Sequence, residues 1–325
     1  MPSPETRTGS GRRVAWIVLA VFVVLTAIVI FLSHPPAGPA IVPAPPVGRL
    51  FFLMVNQPSE HTAALRGLYM VSQQQTKPAL FMEELESSGM EDAPRQWISF
   101  PRVSPDGKSL AYVSTTYFIT EESQTEDVHL ALASLAGRSR PKMLLDLTKA
   151  HLPAPDGLAW DPKSGRLAFL AGGKLVEVDP TTGKTATTAL GASTGASDLA
   201  FAGSGEAAFL AGGHVYTMGA GGQPQAGPAA DVFAIAGDGR LAIMPNRRAH
   251  HITISGKPYQ LRWTEPWLIR GRVTSMLFSP SGSYLGYTVT NPLVPEDGLY
   301  FLRLSDGKCF RLPYTTTRAG WDWSR

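Results

Sequence analysis

The last residues of the chain, AGWDWSR (319–325), decide the fold, because they repeat the first half of a pattern whose second half does not follow them. In the complete copies, an apolar run enters a tight turn of Pro, Ser, Asp and Gly, and a second apolar run leaves it. Four such copies are RVSPDGKSLAYVS (102–114), LAWDPKSGRLAFLAGG (158–173), LAFAGSGEAAFLAGG (199–213) and MLFSPSGSYLGYTV (276–289). The final copy therefore needs a partner strand from elsewhere in the chain.

The residue before each turn marks the period of the repeat. These residues recur every 34 to 57 positions, and they are Val103, Trp160, Phe201, Ile235, Phe278 and Trp323. After the second strand comes a third, such as KLVEVDP (174–180), and then a more weakly defined fourth. Self-similarity at about 40 residues, with short apolar strands between tight turns, is typical of the four-stranded blades of a β-propeller.

The N-terminal end of the repeated region supplies what the C-terminus lacks. Residues 48–82 contain GRLFFLMVNQ, GLYMVSQ and KPALFM, which resemble the second, third and fourth strands of a blade without its first. AGWDWSR supplies that first strand. The sequence therefore predicts an all-β, six-bladed β-propeller of four-stranded blades, closed by pairing of the N- and C-terminal strands, so that the ring keeps no open edge where its ends meet.

The turns resemble the repeat of TolB-type, WD-like propellers, in which an apolar or Trp residue precedes S-P-D-G and an apolar strand follows. Residues 104–107 match this signature fully, and residues 161–165 and 279–282 match it in part. The resemblance covers residues 48–325 and implies the propeller fold without implying an activity. The turn residues also have a structural explanation, since Pro presets φ, Asp caps the turn and Gly adopts positive φ.

An apolar stretch precedes the repeats. Residues 14–32, VAWIVLAVFVVLTAIVIFL, carry no charge and would span about 28 Å as a helix, close to the ~30 Å hydrocarbon core of a bilayer. The basic residues nearby lie only on its N-terminal side, which favours a cytoplasmic N-terminus. Ser33-His34-Pro35-Pro36 is a poor context for signal-peptide cleavage. We predict an uncleaved transmembrane signal-anchor helix over residues 14–33; the alternative is a cleaved signal peptide.

The predicted segments are a cytoplasmic basic tail (1–13), the transmembrane helix (14–33), a Pro-rich linker (34–47) and the propeller domain (48–325) in the periplasm or outside the cell. The linker has six prolines between positions 35 and 46, which favours an extended spacer of ~3.1 Å per residue. Outside the tail the charges nearly balance, so nucleic acid is not an expected partner. The lipid bilayer is an expected partner, through the apolar stretch of residues 14–32. The one cysteine, Cys309, excludes an intrachain disulfide.

Sequence motifs give little support for an enzyme. GASTG (191–195) fits the nucleophile pattern around Ser193, but that motif needs a helix after the serine, and a connector between blades is expected here. His250 and His251 would point to opposite faces of a strand, so they cannot easily bind one metal together. We expect no catalytic residue, cofactor or metal ligand, and a propeller lyase or hydrolase is the alternative.

The loops are the most informative feature for function. Those at 56–67, 114–127 and 290–297 are long and belong to blades that ring closure makes neighbours, so one face should carry a raised ridge. Acidic residues concentrate near it, and two arginines occupy the corresponding loop across the ring. Such loops are either solvated or a docking surface. The candidate interaction residues are Glu83, Glu84, Glu86, Glu91, Asp92, Glu121, Glu122, Glu126, Asp127, Arg247 and Arg248.

These observations favour a membrane-anchored, non-catalytic propeller that mediates protein–protein interaction. It would be an accessory or stabilising subunit of a larger membrane or envelope complex, respiratory and photosynthetic assemblies included. The alternative is an extracytoplasmic sensor that binds a sugar, peptide or other small molecule in the central channel. An interaction role predicts charged or apolar patches on the loops, whereas a sensor or an enzyme predicts polar residues that converge at the inner strands.

Overall fold

In a computed structural model of the chain, six β-sheets contain nearly all of the regular structure of the described residues. The structure describes residues 21, 23, 39–56, 65–75, 77–84, 94–119, 124–137, 140–191, 195–263, 271–290, 296–317 and 320–324. The strands in chain order are β1 (Ala40–Ile41), β2 (Arg49–Asn56), β3 (Leu65–Ser72), β4 (Ala79–Glu83), β5 (Arg95–Val103), β6 (Ser109–Ile119), β7 (Gln124–Ser134), β8 (Lys142–Asp146), β9 (Gly157–Trp160), β10 (Leu167–Ala171), β11 (Lys174–Val178), β12 (Thr185–Ala189), β13 (Ser197–Phe201), β14 (Ala207–Ala211), β15 (His214–Met218), β16 (Gln225–Ala229), β17 (Val232–Ile235), β18 (Leu241–Met244), β19 (His251–Ile254), β20 (Lys257–Gln260), β21 (Arg272–Phe278), β22 (Tyr284–Thr290), β23 (Glu296–Arg303), β24 (Cys309–Thr317) and β25 (Trp321–Ser324).

Each sheet contains one blade of a propeller, whose four strands are antiparallel and, in the first five blades, in chain order from the inside outward; one sheet also includes β1 as a parallel fifth strand. Blade I is β5–β8, blade II is β9–β12, blade III is β13–β16, blade IV is β17–β20, blade V is β21–β24, and blade VI is β25 followed by β2–β4. The predicted all-β, six-bladed architecture with four-stranded blades is therefore confirmed.

Blade VI joins the two ends of the repeated region. Strand β25 pairs with β2 in the register Leu50↔Trp323 and Phe52↔Trp321. Both tryptophans are buried, at 2% exposure for Trp321 and 6% for Trp323, in a cluster that includes residues of blade V such as Phe301. The predicted closure by N- and C-terminal strands is what the structure contains, and the two tryptophans fill the junction between blades V and VI.

The S-P-D-G turn of blade I has the geometry that its residues favour. Gly107 adopts φ 70° and its N–H donates to the Ser104 carbonyl at 2.8 Å. The Asp106 carboxylate accepts from Ser104 Oγ at 2.6 Å and from the Lys108 N–H at 3.1 Å. Because the side chains close the turn and glycine supplies the left-handed backbone, the chain reverses tightly between an inner strand and the next strand outward.

Burial is greatest in the second strand of a blade and least in the outermost strand. All five residues of β10 and of β14 are buried, and all five residues of β16 are exposed. The second strands are apolar on both faces because each blade packs between two neighbours, as in the core cluster that joins blades I and II around Phe169. This gradient explains why the outermost strands were only weakly marked in the sequence.

The N-terminal part of the described chain docks on blade V. Strand β1 pairs in parallel with β24, and the Val42 N–H donates to the Arg311 carbonyl at 2.9 Å. Val42 and Val47 pack against the cluster between blades V and VI, and Val47 accepts from Trp323 Nε1 at 2.7 Å. The compact unit that contains the propeller starts at Pro39. The later part of the predicted Pro-rich linker therefore packs against the propeller and does not act as an extended spacer.

Residues 14–33 lie almost entirely outside the described residues, and no helix in the described part of the chain is long and apolar enough to cross a bilayer.

The three long loops are shorter than the sequence pattern suggested, because the flanking strands extend as hairpins. Strand β6 runs to Ile119 and β7 starts at Gln124, so most of 114–127 is strand.

Candidate functional site

The β6–β7 hairpin of blade I extends beyond the outermost strand of its sheet, β8, while the inner strand β5 accompanies it as far as the pair Arg95↔Tyr117. The two strands pair continuously from Ser109↔Ser134 to Ile119↔Gln124, whereas β8 pairs with β7 only from His129 to Leu132. Residues 124–127 therefore form an outer edge that no described strand covers. Exposed strand edges are available for pairing with another chain unless charged side chains or a covering segment protect them.

Aromatic side chains are exposed on both faces of this hairpin. Trp97 of β5 is 42% exposed and meets Tyr117 edge-on, with 5.1 Å between the ring centroids. The guanidinium of Arg66 lies over the Trp97 ring at 5.1 Å. Phe118, on the opposite face of the hairpin because side chains alternate along a strand, is 40% exposed. Trp, Tyr and Arg are the residues most enriched among those that dominate binding energy at protein interfaces.

Carboxylates flank these aromatic rings. Glu126 lies directly across the strand pair from Tyr117, and its exposed side chain is an acceptor for the phenol. The pKa of Tyr117 is raised, first by burial and then by the charge of Glu126 and the hydrogen bond to it. Asp127 pairs with Thr116 on the Phe118 face. We call Arg66, Trp97, Tyr117, Phe118, Glu126 and Asp127 the hairpin surface.

Glu84, one of the predicted interaction residues, points into the protein instead. It is 3% exposed, forms an ion pair with Arg66, and accepts from the Ile98 N–H at 2.6 Å. This carboxylate ties blade VI to the first strand of blade I and holds Arg66 over Trp97. Its role in the structure is to position the hairpin surface, and its burial removes it from direct contact with a partner.

The other predicted residues fall into three groups. Glu83 and Arg248 are exposed, and Arg247 is partly buried. Glu126 and Asp127 belong to the hairpin surface. The rest lie outside the described residues, and they are Glu86, Glu91, Asp92, Glu121 and Glu122.

A second site lies at the centre of the ring. A cavity of about 130 Å³ is lined by the inner strands of five blades, and Arg102 and Asp198 are the charged residues on its wall. Arg102 donates from Nε to the Leu158 carbonyl at 2.7 Å, and from Nη1 to the carbonyls of Pro101 at 2.8 Å and Trp321 at 2.9 Å. Burial lowers the pKa of Arg102, and the charges of Asp322 and Asp198 act in the other direction. The side chain thus links blades VI, I and II around the channel.

Asp198 faces the cavity from blade III. It adopts φ 56° at a register shift in β13, and its N–H donates to the Asp156 carbonyl at 3.2 Å. Burial raises its pKa, while the charge of Arg247, a hydrogen bond from Ser197 and the charge of Arg102 lower it. Arg247, predicted as a loop residue for a partner, therefore lies near enough to the channel to influence Asp198.

Neither Arg102 nor Asp198 was predicted from the sequence, although a signal for the aspartate was present. An aspartate stands at or just before three successive inner strands, in DGLAW (156–160), SDLAF (197–201) and DVFAI (231–235). Inner strands start at the same face of a propeller, which places the three aspartates near one end of the channel. Asp198 stands one position further into its strand than the other two, and of the three it alone lines the cavity, whereas Asp156 and Asp231 are exposed.

The chemical motifs add no further site. Ser193 lies outside the described residues. His250 stacks on Trp263 with 3.9 Å between ring centroids, while His251 is exposed at the start of β19. Among the described residues, no group of three or more His, Cys, Asp or Glu side chains could hold a metal ion.

Fold and sites together define a six-bladed β-propeller with a projecting hairpin on blade I and a charged central cavity. A chain of the nidogen/laminin complex has the same fold, with a TM-score of 0.52, 10% sequence identity, and coverage of 83% of this chain and 94% of that chain. A gluconolactonase from Xanthomonas campestris matches with a TM-score of 0.45 and 17% sequence identity, over 86% of this chain and 90% of that chain. A virginiamycin B lyase from Staphylococcus aureus matches with a TM-score of 0.42 and 14% sequence identity, over 70% of this chain and 72% of that chain.

Sequence comparison adds no closer relationship. No protein-family model matches the chain, and no curated protein matches it. At identities this low the structural likeness concerns the fold alone, and propellers serve both as enzymes and as binding proteins. Function therefore has to be argued from the residues of this chain.

Proposed function

We propose that this chain is a membrane-anchored, non-catalytic β-propeller that binds another protein through the hairpin surface. In this proposal residues 14–33 span the bilayer, residues 1–13 are cytoplasmic, and the propeller lies in the periplasm or outside the cell. The protein would be an accessory or stabilising subunit of a larger membrane or envelope complex. TolB-type propellers are the class whose repeat its turns resemble.

One observation carries the proposal: Trp97 of β5 and Phe118 of β6 are exposed, with the partly exposed Tyr117 beside Trp97, where the hairpin extends beyond β8. Large aromatic side chains at 40% exposure or more bring apolar area into water, and burying it favours association. Trp97, Tyr117 and Phe118 do not belong to the described core clusters that contain residues of blade I. Glu84 and Arg66 hold the Trp97 ring in place, so little side-chain freedom is lost on binding.

Charge indicates the chemistry of the partner. Glu126 and Asp127 belong to the hairpin surface, and the sequence places Glu121 and Glu122 between its two strands. A partner surface with basic side chains around an apolar group complements this arrangement. Carboxylates at an interface rim mainly set the encounter rate and the orientation, and salt weakens their effect.

The test compares variants that fold alike but differ at the hairpin surface. Trp97→Ala combined with Phe118→Ala removes the aromatic area, and Met143→Ala is the matched control because Met143 is a 55% exposed apolar residue on β8 of the same blade. The tagged full chain is purified in mild detergent from its native membranes, and co-purifying proteins are quantified by mass spectrometry. The proposal expects the same partner in wild type and control, and less than a tenth of it with the double variant.

Equal recovery of every co-purifying protein with both variants would overturn the proposal. Exchanging residues 14–32 for an unrelated apolar helix tests whether the partner binds the apolar segment instead of the hairpin surface. If the helix exchange abolishes recovery while the double variant does not, the contact is made by the apolar segment.

A second candidate function, an extracytoplasmic sensor of small molecules, is favoured by the two opposite charges in the central cavity. A lyase or hydrolase would place its reacting groups in the same cavity. Among the described residues there, Arg102 and Asp198 are held by backbone and neighbouring charges without a nucleophile activated by a base, so binding is the better supported role for this site.

A further inference from the structure

The wall of the central cavity combines apolar side chains with a few hydroxyl groups, and most of these hydroxyls already bond to one another. Thr288 Oγ1 lies 2.7 Å from Thr274 Oγ1 and 2.6 Å from Ser275 Oγ, and Trp321 Nε1 donates to Ser275 Oγ at 2.6 Å. This chain of hydroxyls ties blade V to the closing strand. Recognition of a ligand therefore depends on the two charged groups, Arg102 and Asp198.

Arg102 presents one edge of a rigidly held guanidinium. Its Nε and Nη1 atoms donate to three backbone carbonyls, whereas Nη2 makes no hydrogen bond to a described residue. Main-chain carbonyls fix the plane of the group, so the free edge does not have to be ordered when a ligand arrives. A guanidinium edge of this kind suits a carboxylate, which accepts charge-assisted hydrogen bonds.

Asp198 presents a carboxylate to the same cavity. Its side chain receives a hydrogen bond from Ser197 Oγ at 3.3 Å, and no ion pair joins it to Arg102 or to Arg247 among the described residues. The positive φ at this non-glycine position comes with the bulge in β13. Unusual backbone of this sort is concentrated at functional sites, where the rest of the fold maintains it.

Two opposite charges thus face one small cavity without contacting each other. A ligand with a carboxylate at one end and an ammonium at the other would satisfy both. The cavity volume of about 130 Å³ is slightly below the ~150 Å³ cavity that accepts benzene. A compound the size of glycine, alanine or serine fits, whereas a hexose or a peptide does not.

We propose that the central cavity binds a small α-amino acid, with its carboxylate on Arg102 Nη2 and its ammonium on Asp198. This site is separate from the hairpin surface, and it gives the second candidate function a ligand class. Because the site links five inner strands, an occupied cavity stabilises the closed ring by mass action.

The test uses isothermal titration calorimetry and thermal unfolding of the full chain in mild detergent, with glycine, L-alanine and L-serine as probes. Propionate lacks the ammonium, ethylamine lacks the carboxylate, and D-glucose tests a neutral polar ligand. We expect at least one amino acid to bind and to raise the unfolding midpoint, and each of the three controls to bind at least tenfold more weakly.

Asp198→Asn should weaken amino-acid binding at least tenfold, because it keeps the shape of the side chain and removes its charge. Asp156→Asn is the matched control, since Asp156 is an exposed aspartate beside the neighbouring inner strand, and it should bind like wild type. Arg102→Gln is informative only if its unfolding midpoint shows a folded ring, which is why the aspartate pair decides the test.

Absence of binding by all three amino acids at millimolar concentrations would overturn the proposal, as would equal binding of propionate or unchanged affinity in Asp198→Asn. The hairpin double variant Trp97→Ala with Phe118→Ala should bind the amino acid normally. Failure at the cavity therefore leaves the protein-binding proposal standing, and failure at the hairpin leaves the cavity proposal standing.

Discussion

Replacement of Trp321 by alanine tests the closure of the ring. Trp321 is 2% exposed, donates to Ser275 Oγ at 2.6 Å, and packs where blade V meets blade VI. Truncating a buried tryptophan to alanine costs about 3–5 kcal/mol, because the transfer free energy is lost and a cavity remains. The lost hydrogen bond adds little, since Ser275 also bonds to Thr288.

A loss of this size is a large share of the roughly 5–15 kcal/mol that stabilises a typical domain. It should lower the unfolding midpoint of the domain by about 10 °C. The matched control is Trp97→Ala, which removes the same side chain from a 42% exposed position and should cost only about 1 kcal/mol.

The assay is urea and thermal unfolding of the full chain in mild detergent, followed by far-ultraviolet circular dichroism because both variants remove a tryptophan. The two ends of the propeller region should unfold together in a single transition. If Trp321→Ala is no less stable than Trp97→Ala, then β25 does not close the ring, and the account of blade VI is wrong.

Three further predictions concern the packing of a glycine, the titration of an aspartate and the membrane topology. Gly286→Ala should destabilise the domain by about 1–3 kcal/mol through overpacking, because a Cβ there would lie 2.5 Å from the Trp321 ring. Gly137→Ala is the control and should change stability little, because a Cβ there would have nothing within 4 Å. Equal unfolding midpoints for the two variants would contradict the packing described. Burial raises the pKa of Asp322, so this group favours the folded state below the unfolded pKa of about 4, and the contribution is lost as pH rises through the folded pKa. Unfolding midpoints between pH 4 and pH 7 should therefore show a flatter profile for Asp322→Asn than for wild type, and an unchanged slope would count against this. Protease added to spheroplasts should degrade the propeller and spare the N-terminal tail, while the reverse pattern would invert the proposed topology.

The sequence predicts the fold well because the fold depends on local signals that recur. Each copy of the turn marks one inner and one second strand, and Trp323 falls at the position that Val103 and Trp160 occupy in other blades. The pairing of Leu50 with Trp323 could be anticipated because an incomplete first copy and an incomplete last copy complement each other.

The sites were harder to predict because they depend on contacts between blades. Glu84 looked like one of several acidic loop residues, and its burial is compensated by partners from other strands, Arg66 and the Ile98 N–H, which the local sequence does not indicate. Phe100 and Asp198 have positive φ at register shifts in β5 and β13, and no local pattern announces a bulge. The extension of β6 and β7 into the acidic segment likewise depends on pairing across the hairpin.

The central claim is that the hairpin surface contacts a protein partner, and hydrogen–deuterium exchange tests it most directly. Exchange is compared between the assembly purified from native membranes and the isolated full chain in the same detergent. The account predicts slower exchange at the backbone amides of residues 115–119 and 124–128 in the assembly, with the turn at 104–108 on the other face unchanged. Equal exchange of the hairpin in both samples, or protection confined to other parts of the propeller, would contradict it.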